Sequence, residues 1–175
     1  MTGGFIHGDD PFATPESERS PVRRLRGRLP AAVTLWTAIA SDGGRAGLTV
    51  SSTLVVDGDP GRLLGLVDDE AAWWPAASVA GRFAVTVLGQ AHRQLADRFA
   101  GLLPAPGGPF ADHEWLDTPY GPVPADAGTW VGCRLDGSRP IGWALLVEAT
   151  IERVELGVDP PLVHYRGRYR AIEAR

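Results

Sequence analysis

A chain of 175 residues with 44% hydrophobic and 22% charged residues suits one globular domain with a single core and is short for two. A formal net charge of −4 excludes a general nucleic-acid binder, whose affinity would rest on a basic surface. No run reaches the ~20 apolar residues of a membrane helix, the lone Cys133 excludes an internal disulfide framework, and with all 17 basic residues arginine, lysine Schiff-base chemistry is excluded too.

Taken along the chain, residues 1–19 are rich in Gly, Pro, Asp and Glu and are expected to form a flexible segment before one domain over 20–175. Met1-Thr2-Gly3-Gly4-Phe5 has no basic stretch followed by an apolar one, so a cytoplasmic location is the expectation. Ser20-Pro21 reads as an N-cap with proline at the first helical position. It predicts a short helix over Val22–Leu29 with an arginine-rich face. Val33–Ala40, β-branched and aromatic, predicts a strand, and Asp42-Gly43-Gly44 a turn into a second, antiparallel strand over Gly47–Ser52. On that strand Thr49 and Ser51 alternate onto one face and Ser52 closes it. Such a group of small hydroxyls and backbone N–H groups suits a polar ligand edge or a phosphate, and equally an ordinary Thr/Ser-rich strand end.

Further strands are predicted over Arg62–Val67, Arg82–Leu88, Trp130–Leu135, Trp143–Thr150 and Leu162–Tyr169, each bounded by Gly, Pro or Asp. The result is a mainly β protein, a barrel with a few short helices. His92–Ala100 is the best helix, with Leu95 and Phe99 on one face and Gly101 as terminator. Asp68-Asp69-Glu70 suits a helix N-terminus better than a cation site. The Pro- and Gly-rich segment Leu103–Pro124 reads as an irregular arm whose aromatics, Phe110, Trp115 and Tyr120, need something to pack on. Cys133, inside an apolar strand, reads as a buried structural thiol. In the last strand Arg166, Arg168 and Arg170 are expected to share one face, suited to phosphate or to protecting a strand edge.

The sequence contains no Gly-x-Ser-x-Gly elbow, no phosphate-loop lysine and no Gly-x-Gly-x-x-Gly fingerprint. His7, His92, His113 and His164 are too widely spaced to form a local ligand pair, so no metal site is expected.

Arg24–Ser52, Gly81–Leu88, Arg93–Ala100 and Pro161–Tyr169 occur in the order and spacing of the flavin reductase-like family, over roughly residues 21 to 170. The chain resembles that family, an FMN-binding split barrel. The resemblance implies a homodimer that holds FMN or FAD near the subunit interface and takes hydride from NADH or NADPH. Such a protein is a flavin reductase, in some cases the reductase partner of a flavin-dependent monooxygenase. The alternative is a non-catalytic flavin- or other cofactor-binding dimer. The match implies that Thr49, Val50, Ser51 and Ser52 line the flavin, that Val67, Asp68 and Asp69 lie against it, and that Phe99, Arg168 and Tyr169 belong to the pocket wall or serve the partner subunit. No side chain is expected to act as acid or base, because the two cofactors carry the chemistry.

The chain departs from the family in two places. After the third strand, where members carry Ser and Thr for the flavin phosphate, it has Glu70-Ala71-Ala72-Trp73-Trp74. Phosphate contacts must then come from elsewhere, an arginine being the candidate, and the tryptophans could stack on the ring or plug the site. A Gly-Asp-His element near the nicotinamide is replaced by Ile141-Gly142-Trp143.

Overall fold

The computed structural model describes residues 16–172. Residues 1–15 of the expected flexible segment, and His7 with them, lie outside the described residues; Glu16–Glu18 form one 3-10 turn. Helix α1 (Pro21–Gly27) begins as its sequence predicts, with the Arg23 N–H donating to Ser20 Oγ at 3.2 Å and proline in the first turn. It buries none of its residues. Its far end is anchored by the Arg166 N–H, which donates to the Gly27 carbonyl at 2.8 Å.

The barrel strands are β2 (Thr34–Ile39), β3 (Arg45–Val50), β4 (Thr53–Val56), β5 (Arg62–Val67), β6 (Arg82–Val87), β9 (Trp130–Ile141) and β10 (Ala144–Glu155). They form one antiparallel sheet in the order β3-β2-β6-β9-β10-β5-β4. The two ends of that order, β3 and β4, are consecutive in the chain and separated only by Ser51 and Ser52. Here the sheet closes. Thr34 Oγ1 donates to the Val50 carbonyl at 2.6 Å and lies 3.1 Å from Thr53 Oγ1, and the Leu66 N–H donates to the Ser52 carbonyl at 3.0 Å. Turn β2–β3 is built by Asp42, whose Oδ1 accepts from the Gly44 N–H at 2.8 Å, around Gly43 at φ +83°, a conformation that favours glycine.

Inside the barrel Trp36 stacks on Phe83 (centroids 5.0 Å, 18° between planes) and meets Trp73 edge-on at 5.2 Å. Leu63, Val85, Cys133, Val147 and Ala149 complete this core. Burial, reinforced by Glu152 and Asp136, pushes the Cys133 thiol up to about 12, so it is a structural group with no thiolate at neutral pH. A second core, Val33, Leu35, Leu88, Leu95, Phe99 and Leu162, lies under α3 (Arg93–Phe99). Among the described residues no helix is long and apolar enough to cross a membrane.

Several sequence expectations are corrected. Helix α2 spans Trp73–Ala80 with Ala72 at its N-cap and no side-chain cap. The acidic run stops short of it: Asp68 Oδ1 accepts from the Glu70 N–H at 3.0 Å in a turn of its own. Trp73 is fully buried against Trp36 and Phe83, and Trp74 packs partly buried beside it; the pair serves the core and neither stacks at nor plugs a ligand site. The arm contains a ribbon, β7 (Trp115–Thr118) with β8 (Gly121–Pro124), despite its prolines. It packs on its own barrel: Phe110 and Trp115 on Phe99, and Tyr120 flat against Gly132, where a Cβ would overlap the ring.

The last predicted strand is a hairpin, β11 (Leu162–Tyr165) with β12 (Arg168–Ala171), and β1 (Ala31–Ala32) pairs with β11. Its turn residues Arg166 (φ +51°) and Gly167 (φ +76°) are both left-handed, which suits the twist of an antiparallel pair. Arg166 therefore does not share a face with Arg168 and Arg170. His164 stands opposite Tyr169 on the face carrying buried Leu162, and Arg168 stands opposite Tyr165 on the other.

Candidate functional site

The closure line of the barrel opens on a cavity of about 810 Å³, within the usual range for small-molecule sites. Thr49, Val50, Ser51 and Ser52 line one side, and Leu66, Val67 and Asp68 the next. Leu146, the cross-strand partner of Leu66, adds apolar surface. His164 and Tyr169 close one end, and Arg19, Arg23 and Arg26 face the cavity from the α1 side.

The hydroxyls differ in what they can offer. Thr49 Oγ1 donates to the Ala96 carbonyl at 2.7 Å, so its one proton holds β3 to α3 and only its lone pairs remain for a ligand. Among the described residues the hydroxyls of Ser51 and Ser52 make no hydrogen bond; each keeps a donor and two acceptors for whatever enters. Tyr169 donates to Asp97 Oδ1 at 2.6 Å, which ties β12 to α3. Burial, and then that carboxylate, push the phenol well above its ordinary range, so it stays protonated.

Of the residues singled out from the sequence, Thr49, Val50, Ser51, Ser52, Val67, Asp68 and Tyr169 come together on this cavity, and Asp69, Phe99 and Arg168 do not line it. Asp69 is exposed beyond the end of β5. Phe99 is spent on packing: a Cβ on Gly47 would lie 2.6 Å from its Cε1, so the ring fills the groove beneath β3. Arg168 is exposed on the outer face of its hairpin. The α1 arginines were legible as a charged helix face, but nothing local in sequence tied that face to a strand end some 25 residues on.

The fold brings together two histidines that are distant in sequence. His92 Nε2 and His113 Nε2 lie 3.1 and 3.0 Å from Asp126 Oδ1, and all three could ligate one ion by distance. The donor arrangement opposes it. The Gly89 N–H donates to His92 Nδ1 at 3.0 Å, so the ring proton sits on Nε2, the atom a metal would need bare, whereas ligating histidines donate from their other nitrogen. The group reads as a bridge between the start of α3, the arm and the β8–β9 connection. Burial would raise the Asp126 carboxyl, but hydrogen bonding and attraction from His92, and then His113, outweigh it and hold the group below its usual range.

A sheet closed at a two-residue seam, with unspent hydroxyls on one side of a cofactor-sized cavity and guanidinium groups on another, defines a split-barrel protein whose cavity suits a polar small molecule. The model of the flavin reductase like domain matches residues 26–173, and the chain belongs to that family. It is 32% identical over 167 residues to the FMN reductase (NADH) RutF of Variovorax paradoxus, covering 93% of this chain and 90% of that protein. It is 25% identical over 170 residues, 96% of this chain and 85% of the other, to the flavin-dependent monooxygenase reductase subunit HsaB of Rhodococcus jostii. The fold is similar to that of the NADH:FAD oxidoreductase SgcE6 of Streptomyces globisporus, with a TM-score of 0.80 at 22% identity over 93% of this chain and 97% of the other.

Proposed function

We propose that this chain is a flavin reductase that passes hydride from NADH or NADPH to FMN or FAD seated in the cavity at the Ser51–Ser52 seam. The observation that carries the reading is the pair of unspent serine hydroxyls on the wall of an 810 Å³ cavity in a chain of this family. Bound flavin supplies the chemistry itself, accepting a hydride equivalent that a nicotinamide gives up, with a proton taken from solvent. The residues of the chain bind and align. Ser51 and Ser52 can donate to the polar edge of the ring, and Val50, Leu66 and Leu146 offer apolar surface that keeps water from it. No acid or base is required, and Tyr169 is held protonated by burial and its bond to Asp97.

A second copy of the chain is the proposed partner. Edge strand β4 exposes Leu54, Val55 and Val56 (66%, 68% and 46%) beside Leu66 at the cavity rim, an apolar edge that a lone monomer would leave open to water. A monooxygenase that consumes the reduced flavin is the proposed downstream partner, by similarity to HsaB.

The test is anaerobic mixing of the purified protein with FMN or FAD and then NADH or NADPH. Bleaching of the flavin band faster than without protein supports the reductase and identifies the donor. A perturbed spectrum without bleaching leaves a binding protein, and no perturbation removes the flavin reading. Replacing Ser51 or Ser52 with leucine should fill the wall and abolish binding.

A further inference from the structure

The cavity is electrically lopsided. Arg23 and Arg26 stand three apart on one face of α1 and both line it, as does Arg19 just before the Ser20 cap; Arg24 and Arg28 do not. Among the described residues the one carboxylate on its wall is Asp68, at the end of β5, which accepts from the Glu70 N–H. Arg26 has no acidic partner among the described residues. Helix α1 buries no side chain, so core packing does not explain its place; the Arg166–Gly27 bond and the short link through Pro30 to β1 hold it beside the cavity. A ligand with its ring at the seam hydroxyls and apolar wall would carry its charged tail toward this arginine face.

We infer that Arg23 and Arg26 grip the phosphate end of the flavin, as forked donors that can each give two parallel hydrogen bonds to phosphate oxygens. This rests on the flavin reading above. His164, at the same end of the cavity, is held below its usual range first by its burial and then by the charge of Arg26.

The experiment compares FMN with riboflavin, which shares the ring and ribityl chain but lacks the phosphate, by flavin fluorescence titration. It uses the wild-type chain, Arg23→Gln, Arg26→Gln, the double variant, and Arg24→Gln as a charge-matched control off the cavity. The wild type should bind FMN about tenfold or more tighter than riboflavin, and the double variant should lose that preference while its riboflavin affinity holds to within about twofold. Arg24→Gln should change neither. Since α1 buries no side chain, these variants should fold, which unchanged circular dichroism would verify. Equal FMN affinity in the double variant and wild type, or no wild-type preference for FMN, overturns the inference and leaves the flavin reading intact. A rise confined to the KM for NADH at saturating FMN also overturns it, assigning the arginines to the pyrophosphate of the donor. If the wild type binds neither flavin, the reading beneath the inference fails with it.

Discussion

The indole N–H of Trp36 donates to the hydroxyl of Thr34, two residues earlier on the same strand, at 3.0 Å. Because that hydroxyl gives its only proton to the Val50 carbonyl, Thr53 must be the donor in its 3.1 Å contact. One buried oxygen is therefore fully used in joining the central tryptophan, the end of β3 and the start of β4. Thr34→Val, close to isosteric, should strand the Trp36 N–H in the core and cost about 1–3 kcal/mol. Thr34→Ser keeps the oxygen and should cost about 1 kcal/mol for the lost methyl. Urea unfolding of both variants checks this, and equal losses would show that the hydroxyl contributes nothing.

Gly65→Ala should be more damaging than its single added carbon implies. The new Cβ would overlap the Trp36 ring and lie 3.3 Å from the Ser52 carbonyl oxygen. Trp36 is wedged between Phe83 and Trp73 and cannot yield. Overpacking of this kind costs about 1–3 kcal/mol. Displacement of Ser52 should weaken flavin binding as well, so the denaturation midpoint and the FMN titration should move together.

The Asp126 bridge makes a prediction about acid. Its folded-state pKa lies below the ordinary value of 3.8, so the stabilisation it brings is present above about pH 4 and is lost as pH falls through the folded value. Asp126→Asn should flatten the fall in urea midpoint below pH 4 relative to wild type. An identical slope in both would mean that the histidines do not hold this carboxylate in solution.

The His164 imidazole makes a second prediction about pH. Burial first, and Arg26 second, depress it from 6.5, so its contribution is present above about pH 6.5 and is lost as pH falls through the lower folded value. In Arg26→Gln the imidazole should regain part of the shift, since burial remains. Proton NMR of the histidine ring resolves this directly, and an unmoved resonance would place the guanidinium away from the imidazole.

The barrel strands were legible because their alternation and Gly, Pro or Asp boundaries are local signals, and α1 and α3 because Ser20-Pro21 and the Leu95–Phe99 spacing are local too. The failures lie where the cause is distant or unusual. Arg166-Gly167 turns a hairpin without the Asn-Gly or Asp-Gly signal, through a left-handed arginine. The prolines of β8 tolerate a two-stranded ribbon because the barrel, and not a wider ladder, supports it: Thr37 Oγ1 donates to the Pro122 carbonyl at 2.6 Å. His92 and His113 meet because the arm folds back over α3, which no spacing rule reports. The cavity residues of β3 and β5 were readable from the family pattern. The arginine wall was not, since it depends on where α1 settles after the chain has folded.

The two-residue link between β3 and β4 also bears on how the barrel assembles. Chain entropy opposes the distant pairings, such as Thr34–Thr37 with Ala84–Val87 and Arg62–Val67 with Leu145–Thr150. Once those are made, the two ends of the sheet are already tethered at Ser51–Ser52, and completing the ring demands almost no further loss of chain freedom. Closing the ligand wall therefore adds little to the entropic cost of the fold, so substitutions there should alter what the protein binds far more than the rate at which it folds.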